Sequence, residues 1–372
     1  MQRGDGVAQA LSPIHLAYEL VLFATGVPLA CCAKDLISWE GFILLSELQP
    51  PYKSPTEVAP GIYLVPIPIP IPLKYVNCYL CQGPSGWTLV DTGFHDALAA
   101  DAWPRAFAEL GIRAQDIDRI LVTHYHPDHL GAAGWLQQVT GAPAFLHEPE
   151  LRQVELFWGQ GLTVQAQALH DFFAAEGMPE ETAAAIARHH LVQWETVLPL
   201  AQMQPIPTGS RFRVGAGDYE VLWLPGHSDG LAVFWDANSG ILIANDMILD
   251  KITPNVSLWP DCRPNPLEDY LASLTRVEAL GARLALPGHR NIITDVSGRA
   301  AAIRQHHGER LDRMEAVCGR AGATAWEVCE QIFTPATLTI HQVRFAMSET
   351  LAHLVYMEKQ GRLVRRGMQF HT

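Results

Sequence analysis

Short apolar runs broken by Gly, Pro and acidic turns dominate the middle of the chain. Residues 61–65, 75–80 and 87–90 read as strands, the last two joined by the Gly83-Pro84-Ser85-Gly86 turn. Prolines 66, 68, 70 and 72 alternate with Ile, which forces an extended path and allows only an edge position in a sheet. A helix is predicted over 96–110, a strand over 118–122, a helix over 131–139 and a strand over 144–147. Residues 148–197 are Ala-rich with little β-branching and read as a helical insertion beside the preceding strand, a lid or substrate wall. Strand patterns return at 211–214, 219–224, 231–235, 241–244 and 283–286, with a helix at 267–280. Beyond 296 the pattern turns helical, with helices at 326–333 and 340–360 and a small β-wing at 362–366 and 368–371. Residues 48–60, with several prolines, read as a linker.

Chemistry sits where the apolar runs end. The 118–122 run opens into Thr123-His124-Tyr125-His126-Pro127-Asp128-His129, followed by Gly131-Ala132-Ala133-Gly134. His124 and His126 are two apart and can point the same way from an extended segment, while Asp128 and His129 lie past the Pro127 bend. Imidazoles with a carboxylate favour a transition metal over calcium or magnesium. A solvated His-rich turn is the plain alternative, and HxHxDH is too specific a pattern for it. Three later runs end the same way, nominating His227, Asp246 and His289, and the 87–90 run ends in Asp91-Thr92-Gly93. Asp91 can orient a ligand by hydrogen bonding. His189 and His190, in the helical insertion, read as helix surface.

Composition narrows the classes. The 372 residues are 48% apolar and 17% charged, which supports a sizeable core and excludes a disordered chain. A formal net charge of −13 argues against a general nucleic-acid-binding surface. Seven cysteines without a regular framework suggest reduced thiols and a cytoplasmic setting. Cys78 and Cys81, a CxxC in a strand, read as core packing rather than a zinc or redox pair. Residues 14–32 are interrupted by His15, Glu19, Gly26 and Pro28, a poor spanning segment and a weak leader. Over 300–372, nine Lys and Arg oppose seven Asp and Glu, a weak balance for reading DNA. Docking or homodimerisation fits that segment better.

The set His124-x-His126-x-Asp128-His129, His227, Asp246 and His289, with Asp91 upstream, resembles the metallo-β-lactamase superfamily, in particular its glyoxalase II-like hydrolases. The resemblance implies an α+β fold: an αββα sandwich over 58–298, after an extension at 1–57 and before a winged-helix domain at 299–372. It implies two divalent ions, zinc first and iron or manganese as alternatives. His124, His126 and His227 would hold one ion, and Asp128, His129 and His289 the other. Asp246 would bridge them and Asp91 would stand behind the ligands. Relatives with Glu in place of His126 or Cys in place of Asp246 do not fit, nor do nucleases that need a large inserted domain. The expected activity is hydrolysis of an ester-like carbonyl in a small acyl substrate (a thioester or lactone) by a hydroxide shared between the ions, with Asp128 handling its proton. The alternatives are a phosphodiesterase or endoribonuclease, and a mononuclear iron sulfur dioxygenase. For the nuclease, Arg263, Arg290, Arg362, Arg365 and Arg366 would have to meet phosphate. The loop Met247-Ile248-Leu249, with Ile252, Val256, Leu258 and Trp259, either walls an apolar pocket or packs on the sheet edge.

Overall fold

The computed structural model describes residues 53–159 and 161–372. The leader-like stretch 14–32 lies outside the described residues. The apolar runs build two sheets. The first places seven strands side by side in chain order: β1 (Thr56–Ala59), β2 (Ile62–Pro68), β3 (Tyr75–Gln82), β4 (Trp87–Val90), β5 (Ile117–Val122), β6 (Ala144–His147) and β7 (Met203–Ile206). The second holds β8 (Arg211–Val214), β9 (Gly217–Trp223), β10 (Ala232–Asp236), β11 (Ile241–Asn245) and β12 (Leu284–Pro287), ordered β12-β11-β10-β9-β8. Leu64, Tyr79, Val90 and Leu121 of the first meet Val221, Phe234, Ile243 and Leu286 of the second in one core. β10 and β11 are buried at every position, so the outer face of their sheet is covered as well. The result is the expected sandwich of sheets with helices outside.

Helix α1 (Ala97–Leu110) starts at Asp96, whose side chain accepts from the Ala99 N–H, and Trp103 ties it to the sheet by donating Nε1 to the Thr92 carbonyl. α2 (Pro127–Leu130) and α3 (Ala133–Thr140) follow β5. The 148–197 stretch is three helices, α4 (Glu148–Trp158), α5 (Leu162–Ala175) and α6 (Glu180–Gln193). α7 (Pro266–Ala279) precedes β12 and α8 (Val296–Cys318) follows it. The C-terminal segment then runs β13 (Ala323–Thr324), α9 (Ala325–Phe333), α10 (Ile340–Lys359), β14 (Val364–Arg366) and β15 (Gln369–His371), its strands ordered β13-β15-β14. Thr324 and Thr339 open α9 and α10 with capping boxes. No described helix is long and apolar enough to cross a membrane.

Several expectations change. Part of the expected linker is β1, and β7 and β13 carry no apolar alternation that would have marked them. β2 is not an edge strand, because β1 flanks it. Yet β1 pairs only with residues 62–64, so Pro66 and Pro68 run on past its end, where no partner asks for an N–H. His190 is fully buried against Phe157 and Trp158, not on a helix surface. Cys78 and Cys81 are buried free thiols; Cys81 lies in the inter-sheet core, where burial pushes its thiol up to about 12.

The C-terminal segment is bound in through a buried ion pair, Arg310 of α8 with Glu349 of α10. Removing one partner strands the other charge away from water. Glu349→Ala is therefore expected to cost about 3–5 kcal/mol, read as a lower urea midpoint with an unchanged slope.

Candidate metal centre

Strand exits on both sheets turn toward one edge of the sandwich. Asp91 follows β4, Asn245 closes β11 ahead of Asp246, and Arg290 follows His289; their φ values are 58°, 54° and 68°. Such left-handed positions reverse the chain sharply, and Asp and Asn tolerate them because their short polar side chains bond locally. The reversals aim the neighbouring side chains inward.

All seven motif side chains converge. His126 Nδ1 lies 2.9 Å from both His124 Nε2 and His227 Nε2, and the last two are 3.3 Å apart. Asp128 Oδ2 lies 3.3 Å from His289 Nε2 and 3.7 Å from His129 Nε2. Asp246 Oδ2 stands between the groups, 3.5 Å from His227 Nε2 and 3.6 Å from both His129 Nε2 and His289 Nε2. Donors 2.0–2.1 Å from a tetrahedral ion would be roughly 3.3 Å apart. The spacing of both groups is therefore close to that of a coordination shell.

Hydrogen bonds behind the rings set which nitrogen faces inward. His227 donates Nδ1 to the Asn255 carbonyl at 2.8 Å and His289 donates Nδ1 to the Tyr75 carbonyl at 3.1 Å. A carbonyl only accepts, so each ring keeps its Nε2 lone pair for the centre. His129 donates Nδ1 to Asp91 at 2.8 Å, and Asp91 accepts from Thr123 N–H and Oγ1. His129 Nε2 and Asp246 Oδ1 are buried with no hydrogen-bond partner. Buried polar atoms left this way call for a ligand. Burial alone would push the Asp128 and Asp246 carboxyls up, but the facing His129 and His289 hold both well below the carboxylate range. Burial, reinforced by neighbouring imidazoles, holds His124 and His126 well below the ordinary imidazole value. Against the lowering effect of burial, the facing Asp246 and Asp128 carboxylates raise His129 and His289; metal binding would displace those protons. The residues present fit divalent metal ions.

Residues 71–289 match the family model for the metallo-beta-lactamase superfamily, and residues 311–369 match its metallo-beta-lactamase-like C-terminal domain. The chain belongs to the metallo-beta-lactamase superfamily. A metallo-beta-lactamase family protein from Thermus thermophilus is 40% identical, with a TM-score of 0.76 over 85% of this chain and 99% of that one. The probable metallo-hydrolase YqjP of Bacillus subtilis is 26% identical over 80% of this chain and 92% of its own. The atrochrysone carboxyl ACP thioesterase of Aspergillus fumigatus is 24% identical over 62% of this chain and 55% of its own.

Three features of this superfamily member escaped the sequence reading. Glu150 is fully buried and accepts from the Tyr125 N–H at 2.8 Å and from Ser228 Oγ and the Gly230 N–H, both at 2.6 Å. It thereby ties the loop of His124 and His126 to the loop of His227. Its only sequence signal was an acid in the first turn of a helix, which ordinarily reads as a dipole contact. Asn255, whose carbonyl orients His227, is itself held by Glu349 of α10 through a 2.9 Å bond from Nδ2. The C-terminal segment thus reaches a candidate ligand in two steps. Finally, His307, Glu349 and His353 form a buried cluster with metal-ligand spacing, but Arg310 and Asn255 engage both Glu349 oxygens. Both oxygens of Glu349 are thus already taken, although His307 Nε2 and Arg310 Nε are buried without a hydrogen-bond partner.

The 247–259 loop mostly packs. Met247, Ile248, Leu249 and Val256 are buried, and Arg299 donates to the Leu249 and Ile252 carbonyls. Trp259 stands beside Tyr125 and His227 on a small cleft.

Glu150→Gln sets its amide N–H₂ against a backbone N–H whichever way it turns, that of Tyr125 or that of Gly230. Residues behind the ligands typically change metal affinity 10–100-fold when altered. A loss of that size is expected for this variant, measured by chelator competition, with near-native circular dichroism.

Proposed function

We propose that the chain is a dinuclear metal-dependent hydrolase acting on an ester-like carbonyl, a thioester, lactone or related small acyl compound. The observation that carries this reading is the donor set: two triads of inward-facing ligand atoms sharing one carboxylate oxygen of Asp246. His124, His126 and His227 would hold one ion, and Asp128, His129 and His289 the other. Zinc suits these donors best, with iron or manganese as alternatives. Bound there, a pair of divalent ions supplies Lewis acidity toward a carbonyl oxygen and lowers the pKa of water to about 7.

The chain's own residues prepare that chemistry. Asn255, Tyr75 and Asp91 fix three imidazoles in the tautomer and orientation the centre needs. Asp128 is the more open of the two central carboxylates, its side chain 13% exposed against 7% for Asp246. In this reading it would take up the proton of an attacking water and return it to the leaving group. The thioesterase name of the Aspergillus relative and the metallo-hydrolase name of the Bacillus one support acyl hydrolysis.

Phosphodiester cleavage finds less support. Of the five arginines it would need, three are engaged elsewhere, Arg263 with Asp269, Arg362 with Asp312 and Glu315, and Arg365 with Glu176, which leaves Arg290 and Arg366. We read the C-terminal segment, from its order of helices and strands, as a winged-helix module used for support rather than nucleic-acid reading.

Metal analysis is expected to find about two zinc ions per chain; one iron would point to the sulfur dioxygenase reading. Stripping with a chelator should abolish turnover of thioesters or lactones, and zinc should restore it. His124→Ala or Asp246→Ala should lose both metal and activity, and a variant keeping both would contradict the ligand assignment. Salt-sensitive cleavage of single-stranded RNA with no acyl turnover would favour the nuclease instead.

A further inference from the structure

Arg344, in the second turn of α10, is 7% exposed, and no acidic side chain among the described residues lies within ion-pairing distance of it. Its guanidinium lies over the rings of Phe345 at 4.9 Å and Trp259 at 5.5 Å, and one Nη is 3.5 Å from His341 Nδ1. Its Nε has no hydrogen-bond partner. Aromatic faces attract a cation but leave its N–H groups unsatisfied.

The surroundings are equally unfinished. From α6, His189 packs on His341 with ring centroids 5.5 Å apart, and Gln193 Nε2 is 3.4 Å from His341 Nδ1. His189 Nδ1, both ring nitrogens of His190 and Gln193 Oε1 are buried without partners. Burial holds the His189 and His190 imidazoles down at about 4 and about 3, so at neutral pH the cluster is neutral donors and acceptors around one fixed positive charge. An unpaired buried charge is costly, and so is a group of orphaned polar atoms; together they describe a place built for an anion.

This place adjoins the metal centre. Tyr125, between His124 and His126, has its ring 4.6 Å from that of His126 and 4.8 Å from that of Phe157, which lies 5.7 Å from His190. Trp259, under the Arg344 guanidinium, lines a small cleft together with Tyr125 and His227.

We propose that Arg344, flanked by His341, His189 and Gln193, is an anion subsite that binds a carboxylate or phosphate carried by the substrate away from the scissile bond. The inference rests on the hydrolase reading above and narrows it: the preferred acyl compound carries a negative group. A guanidinium pairs with either oxyanion through two parallel N–H donors, which fixes orientation as well as charge. The helical insertion and the C-terminal segment would then meet over the substrate, each supplying part of the subsite.

The test is calorimetric titration of the zinc-loaded full-length protein with succinate, inorganic phosphate and neutral succinamide. Wild type should bind one of the anions at least tenfold more tightly than Arg344→Met of equal zinc content, and succinamide should not distinguish them. Which anion shows the difference decides between a carboxylate and a phosphate source. Equal binding of both anions by wild type and variant would overturn the subsite, because the centre itself would account for all affinity. If Arg344→Met fails to fold, Arg344→Lys, which keeps the charge and loses the fork, is read the same way. In parallel, the kcat/KM ratio of a succinyl thioester to its methyl ester should exceed ten in wild type and fall toward one in the variant. Absence of any thioester turnover would remove the hydrolase reading, while the titration would still judge the subsite.

Discussion

Five imidazoles and two carboxylates packed into one buried site are a costly arrangement. Each polar group gives up water, and the lone pairs of His126, His124 and His227 point at one another across about 3 Å. Only a compensating charge makes such a cluster tolerable, and a rigid frame must hold it while it waits. Against the raising effect of burial, the facing imidazoles of His129 and His289 hold the Asp128 and Asp246 carboxyls well below the carboxylate range. Two sheets packed face to face meet that demand, because their strand exits are fixed by a core of Leu, Val, Ile and Phe that cannot shift independently.

The frame alone would not orient the rings. Asp91 behind His129, Asn255 behind His227 and the Tyr75 carbonyl behind His289 each draw off one ring nitrogen. Glu150 bonds two ligand-bearing loops at once, and Glu349 reaches Asn255 from a helix almost a hundred residues further along the chain. The C-terminal segment is therefore part of the support of the candidate centre. Its helix α10 carries Glu349 to Asn255 behind His227 on one turn and Arg344 over Trp259 on another, so one element braces a candidate ligand and borders the adjoining cleft.

Much of this was legible along the chain. Strand periodicity located most sheet elements, since alternation and apolar runs are local properties, and the seven donors were marked by repeated placement at the ends of such runs. Short strands such as Met203–Ile206 and Ala323–Thr324 were invisible, because pairing with a neighbour and not their own pattern makes them strands. His190 read as helix surface, and no pattern marked Glu150 or Arg344, since a polar side chain becomes buried only when distant segments close over it. The sequence by itself determined which residues could supply ligand chemistry and which runs would form strands, both matters of residue type and spacing. Tertiary structure alone decided which nitrogen each ring presents, which acids brace the loops and where, among the described residues, a cation has no acidic partner. Those depend on contacts between positions that spacing along the chain does not relate.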